Sequence, residues 1–140
     1  MKKIFLFILS VITVISISSL AVAQDMQPAK VIAFYFHGTF RCPTCTNMEK
    51  YSREAIDTNF KGFLDSGRLE FMVVNIEDKG NEHFAKDYQL YTKSLVLSLV
   101  KDGKEAKSKN LDKIWEYSRD KKKFIEYVTG ELNEFMKDAQ

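Results

Sequence analysis

The chain has 140 residues, 45% hydrophobic and 13% aromatic, with only two Pro and six Gly. That length suits about one domain, and the composition excludes disordered, collagen-like and low-complexity proteins. Lys2 and Lys3 account for the whole formal net charge of +2, so the rest of the chain is balanced and carries no nucleic-acid footprint, while two cysteines cannot build a disulfide-rich scaffold.

The N-terminus has the anatomy of a leader. Lys2 and Lys3 precede an apolar run from Ile4 to Leu20, and Ala21-Val22-Ala23 presents small residues where a signal peptidase reads. The pattern predicts a secretory signal peptide over residues 1–23, cut between Ala23 and Gln24, and one domain over 24–140. The alternative is an uncleaved anchor, because the run approaches the ~17–25 residues that span a bilayer. No Cys follows the leader, so lipid anchoring is not indicated. In either case the domain is exported, to the periplasm or outside the cell, and its cysteines work where disulfides persist.

In chain order, Val31 to Phe36 (V-I-A-F-Y-F) is a short, continuous apolar run and reads as a strand buried on both faces. His37 to Arg41 is a loop, followed by Cys42-Pro43-Thr44-Cys45. Helical spacing then continues through Met48, Ala55, Ile56, Phe60, Phe63 and Leu64 to a stop at Gly67. Leu69 to Ile76 is a second strand. Asn81 is placed to cap a helix whose apolar face is Phe84, Tyr88 and Tyr91. Leu95 to Val100 is a third strand. Asp102-Gly103 signals a tight turn into a polar edge strand, Lys104 to Asn110, whose lysines suit an exposed edge. Leu111 to Tyr117 reads as a short helix in which Trp115 and Tyr117 pack. Asp120 is placed to cap a last helix with Phe124, Tyr127, Val128, Leu132 and Phe135 inward, and Lys121, Lys122 and Lys123 read as a solvated face. This alternation gives an α/β class with a parallel strand–helix–strand pair, an antiparallel last pair and helices on both faces.

The chemistry concentrates at Cys42 and Cys45. A C-x-x-C pair that follows a buried strand and opens a helix is a redox signature. Free N–H groups and the positive dipole end favour a thiolate at Cys42, and Arg41 adds a positive charge beside it. Cys42 is the expected attacking thiolate. Cys45, one turn further in, is the expected buried resolving thiol. Pro43 fits the first helical turn, which has N–H groups to spare. His37 is a candidate for thiolate tuning, proton transfer or metal binding, against a plain polar loop residue. His83 reads as surface, and Phe40 as an apolar lip for a partner. A structural disulfide and a zinc site compete with the redox reading. The sharper metal alternative is a carrier for Cu(I) or As(III) held by both thiolates, with His37 nearby.

These residues resemble the thioredoxin superfamily: a buried strand ending F-Y-F, C-P-T-C at a helix start, and the L-V-L-S-L-V-K-D-G hairpin. Pro43-Thr44 is more similar to the glutaredoxin-type C-P-x-C than to thioredoxin's Gly-Pro. F-H-G-T-F-R-C-P-T-C, with N-E-H-F-A-K-D-Y-Q-L-Y-T-K-S downstream, resembles more closely a small exported thioredoxin-like group called nitrophenyl compound nitroreductase subunit, ArsF-like. No G-x-G-x-x-G accompanies it.

The resemblance implies a three-layer α/β/α fold with a mixed sheet of about four strands. It implies a thiol–disulfide oxidoreductase or electron-transfer subunit with a protein thiol or disulfide as partner. The redox-active Cys42–Cys45 disulfide would serve in place of a separate cofactor, and any membrane link would run through an uncleaved leader. Two features depart from thioredoxins. The position before the third strand that carries a cis-Pro in thioredoxins has none: Thr92, Lys93, Ser94 or Leu95 occupies it, with Ser94-Leu95 as the alignment. The strand before the motif also lacks the buried acid of thioredoxins.

Overall fold

In the computed structural model, which describes residues 28–139, the V-I-A-F-Y-F run is the middle of strand β1 (Lys30–His37). It becomes the sheet's centre because both of its faces are apolar and must be covered. Helix α1 (Pro43–Asn59), helix α2 (Lys61–Asp65), strand β2 (Leu69–Asn75), helix α3 (His83–Asp87), strand β3 (Ser94–Lys101) and strand β4 (Lys104–Asn110) follow. A 3-10 turn (Asp112–Ile114) then leads to helix α4 (Lys121–Lys137). The expected leader and its cleavage point lie outside the described residues. Among the described residues no helix is long and apolar enough to cross a membrane.

The sheet order is β2-β1-β3-β4. β1 and β2 are parallel across the α1 crossover, with Phe34 opposite Met72. β3 lies antiparallel on the other side of β1, with Ser94 opposite Phe36. Asp102 and Gly103 both have positive φ (51° and 73°), the geometry of a tight hairpin turn that matches strand twist. β4 then pairs antiparallel with β3 and is exposed along its whole length. The result is the mixed four-stranded α/β architecture that the resemblance implies.

Strand alternation divides the core into two layers. Val31, Ala33, Tyr35, Leu95, Leu97 and Leu99 face α1 and α4, where Met48, Ile56, Phe124, Val128 and Leu132 meet them. Phe34, Phe36, Val74 and Val96 face α3, with Leu90, Phe84 and Tyr88. Asp120 caps α4 by accepting the Lys123 N–H at 3.1 Å. Lys121, Lys122 and Lys123 are exposed and pair with Glu54, Glu126 and Asp120.

Three local expectations are corrected. The single helix expected up to Gly67 is two. Phe60 leaves helical geometry with its ring in the core, and the Asn59 amide turns back to donate to the Ala55 carbonyl at 2.8 Å. Gly67, at φ +70°, does end the second piece. Asn81 does not cap α3, because its amide donates instead to the Asn75 carbonyl at 3.0 Å. Tyr91 is not on the apolar face: Gln89 takes φ +52° after α3 ends, Leu90 turns inward, and Tyr91 is left 95% exposed.

Candidate functional site: the Cys42–Cys45 turn

β1 delivers the chain to the site and α1 carries it. Between them, the Gly38-Thr39 turn is braced from β2. The Glu77 carboxylate accepts the Thr39 N–H at 3.0 Å, and the Asn75 amide donates to the Thr39 hydroxyl at 3.2 Å. The Thr39 bonds, with Lys93 and His37 adding smaller attractions, hold the Glu77 carboxyl below its ordinary pKa. Gly38 is small for a reason: a Cβ there would stand 2.5 Å from Glu77 Oε1 and displace that carboxylate.

Cys42 and Cys45 form a disulfide with Cα atoms 5.1 Å apart. Cys42 is the N-cap of α1: its backbone is extended, and its Sγ accepts the Cys45 N–H at 3.1 Å. The sulfur thus takes the acceptor place that Ser or Asp usually fills at a helix start. Pro43 occupies the first turn, where it removes no intrahelical bond. Cys42 is half-buried and Cys45 is 2% exposed. The first sulfur is the approachable one and the second is screened.

Arg41 is not a lone charge beside Cys42. Its guanidinium is ion-paired with Glu49 of α1, so the carboxylate offsets the positive charge expected there. Its Nε–H is buried and meets no acceptor in the protein. Behind the disulfide, the Tyr35 hydroxyl donates to the Cys45 carbonyl at 2.6 Å. Burial pushes the Tyr35 pKa far up, with Arg41 acting against and Glu49 with that shift. Tyr35 and Glu49 were not singled out in the sequence. A tyrosine in a run buried on both faces is the available signal, because its hydroxyl needs a partner.

His37 ends β1, and its Nδ1 lies 2.8 Å from the Gly38 carbonyl, which makes that nitrogen the protonated one. The structure does not gather His37 with the cysteines: among the described residues, no three His, Cys, Asp or Glu side chains form a metal-binding group. Ser94 begins β3 opposite Phe36, and its hydroxyl donates to the Thr92 carbonyl at 3.0 Å. All peptide bonds of the described residues are trans. His83 is exposed and bonded to Asp87.

Trp115 is corrected from a packing residue to a wall. It is 39% exposed, and its indole N–H donates to the Lys93 carbonyl at 2.9 Å. It lines an open groove of about 490 Å³ with Cys42, Thr44, Glu116, Ser118 and Arg119. It also lines a smaller hollow with Thr92, Lys93 and Ser94. Phe40 and Tyr91, both exposed, lie in the loops that flank this same end of the sheet.

No protein-family model matches the chain, and no curated protein matches it. Among solved structures it is similar to thioredoxin from Fasciola hepatica, at 24% identity over 64% of this chain and 79% of that one, with a TM-score of 0.38. A cysteine-to-serine mutant of Entamoeba histolytica thioredoxin matches at 22% identity over 69% and 80%, with a TM-score of 0.38. Thioredoxin f2 of Chlamydomonas reinhardtii matches at 16% identity over 70% and 84%, with a TM-score of 0.36. These three solved structures are thioredoxins, each under 25% identical to this chain.

Proposed function

We propose that this chain is an exported thiol–disulfide oxidoreductase that works through Cys42 and Cys45 on protein thiols or disulfides. One observation carries the reading: a half-buried Cys42 sulfur caps a helix N-terminus and is bonded to a buried Cys45 one turn inward. A thiolate at that place is favoured by the helix dipole and by the Cys45 N–H. The Cys42 thiolate attacks a partner disulfide and expels one partner thiolate, which takes a proton from solvent. Cys45 then loses its proton and attacks the Cys42 sulfur, which closes the disulfide and releases the second partner thiol. Oxidation of a partner dithiol is the same sequence reversed. Pro43 keeps the first turn in place, and Arg41, paired with Glu49, bears on the charge around it. The open groove beside Cys42, walled by Trp115, Thr44, Glu116, Ser118 and Arg119, supports a polypeptide partner.

The leader supports export, and the resemblance to the ArsF-like group supports a role as an electron-transfer subunit outside the cytoplasm. A mature N-terminus at Gln24, read by mass, tests the export reading. For the dithiol, the purified protein is equilibrated with glutathione redox buffers and its thiols are counted by alkylation and mass. A reversible two-electron transition between about −270 and −120 mV is expected. Cys42→Ser should abolish exchange, and Cys45→Ser should accumulate mixed disulfides. Undiminished turnover in both variants, or the absence of a reversible transition, would overturn the reading.

A further inference from the structure

Arg41 immediately precedes Cys42, and its guanidinium binds the carboxylate of Glu49, four residues beyond Cys45 on α1. The ion pair therefore spans the redox turn. Its side chains are only 31% and 21% exposed, so their charges are screened less than at an open surface. Both charges are felt immediately behind the disulfide: they act in opposite senses on the Tyr35 hydroxyl, which donates to the Cys45 carbonyl. The buried Arg41 Nε–H, with no acceptor in the protein, leaves one donor of the guanidinium uncommitted.

A guanidinium alone in that position would stabilise a thiolate. A carboxylate bound to it cancels much of that help. We infer that Glu49 is a positioning residue that restrains the dithiol: by holding and neutralising Arg41, it keeps the Cys42 thiol less acidic, and the disulfide less oxidising, than the helix N-terminus and Arg41 would otherwise make them. The inference rests on the exchange reading above. Glu49 acts through Arg41 in this account. In the equilibrium with glutathione, two glutathione thiols give up two electrons and join as a disulfide while the Cys42–Cys45 bond breaks. Cys45 keeps one of the two protons, and Cys42, left as thiolate, releases the other to solvent. Whatever stabilises that thiolate pulls the equilibrium toward the reduced protein. Among the described residues, charged or titratable groups near the turn include Tyr35 and His37 of β1, and Glu116 and Arg119 on the groove wall, the last two opposite in sign.

The test separates charge from bracing. Glu49→Gln keeps an oxygen for Arg41 and removes only the charge, whereas Glu49→Ala removes both. The Cys42 thiolate is titrated by its absorbance at 240 nm, and the reduced fraction is read at fixed glutathione ratios. In both variants the thiol pKa should fall by about one unit, and the equilibrium should move toward the reduced protein by up to about tenfold, or ~30 mV. Arg41→Gln should move both quantities the other way. An unchanged or raised thiol pKa in Glu49→Gln, beside a wild type with a reversible transition, overturns the inference and leaves the exchange reading standing. A shift in Glu49→Ala alone assigns Glu49 a bracing role and overturns it too. A wild type without a reversible transition removes the exchange reading, and this inference with it.

Discussion

One face of the sheet lies under two helices of 17 residues each, α1 and α4, and the other under a helix of five, α3. The long-helix face is filled mainly by aliphatic side chains from β1 and β3, with Phe124 and Leu132 above them. The short-helix face is closed by aromatic rings: Phe84 lies 5.8 Å from Phe34, 5.1 Å from Phe36 and 6.1 Å from Tyr88 between centroids. Each face also holds a tyrosine hydroxyl to a specific acceptor. Tyr35 donates to the Cys45 carbonyl, beneath the disulfide. Tyr88 donates to Glu105, which also accepts from Ser98. The dithiol grows out of the face with the larger core. Five helical residues suffice on the other face because large rings cover area that a short backbone cannot.

That contrast is open to attack. The largest effect is expected from Phe124→Ala, which empties a fully buried site between α1 and α4 and should cost about 3–5 kcal/mol in denaturant unfolding. Phe84→Ala, on a partly buried ring, should cost about 2 kcal/mol and leave the glutathione equilibrium unchanged. Equal losses from the two variants would mean that the faces contribute alike.

A smaller and sharper effect concerns alkali. Burial, then the Glu105 hydrogen bond, holds the Tyr88 pKa up to about 12, against 10.0 for an ordinary tyrosine. The folded chain therefore keeps a proton that the unfolded chain gives up first. The stability this supplies is whole below pH 10 and is lost as the pH rises toward about 12. Tyr88→Phe cannot ionise, so its unfolding free energy should fall less steeply across that range than that of the wild type. Parallel slopes would mean that Tyr88 ionises like an exposed phenol.

The sheet and the reactive turn were legible because their signals are local. A short apolar run rich in β-formers reads as a doubly covered strand, Asp102-Gly103 signals a tight turn, and C-P-T-C after a buried strand places a sulfur at a helix start. What was not legible depends on contacts distant in sequence or on a single backbone angle. Apolar spacing runs straight through Phe60, so nothing local announces the break that its buried ring and the Asn59 amide produce. Tyr91 keeps helical spacing with Phe84 and Tyr88, but the left-handed Gln89 takes it out of the helix. Glu49 reads as one more charge on an amphipathic helix until the fold brings Arg41 against it. Trp115 reads as core because indoles are large and apolar, yet its N–H finds the Lys93 carbonyl and leaves the ring standing at the groove.

Cys42 both caps α1 and carries one sulfur of the disulfide, and that double duty ties the redox state of the pair to folding. Reduction removes the cross-link but leaves the Cys42 sulfur at the cap, where a thiolate is a stronger acceptor for the Cys45 N–H than a disulfide sulfur. By a closed thermodynamic cycle, the difference in unfolding free energy between the oxidised and reduced protein equals the gap between its reduction potential and that of the same two cysteines in the unfolded chain. A melting curve recorded in each redox state is therefore a potentiometric measurement, and any substitution that frays the first turn of α1 will register on both scales at once.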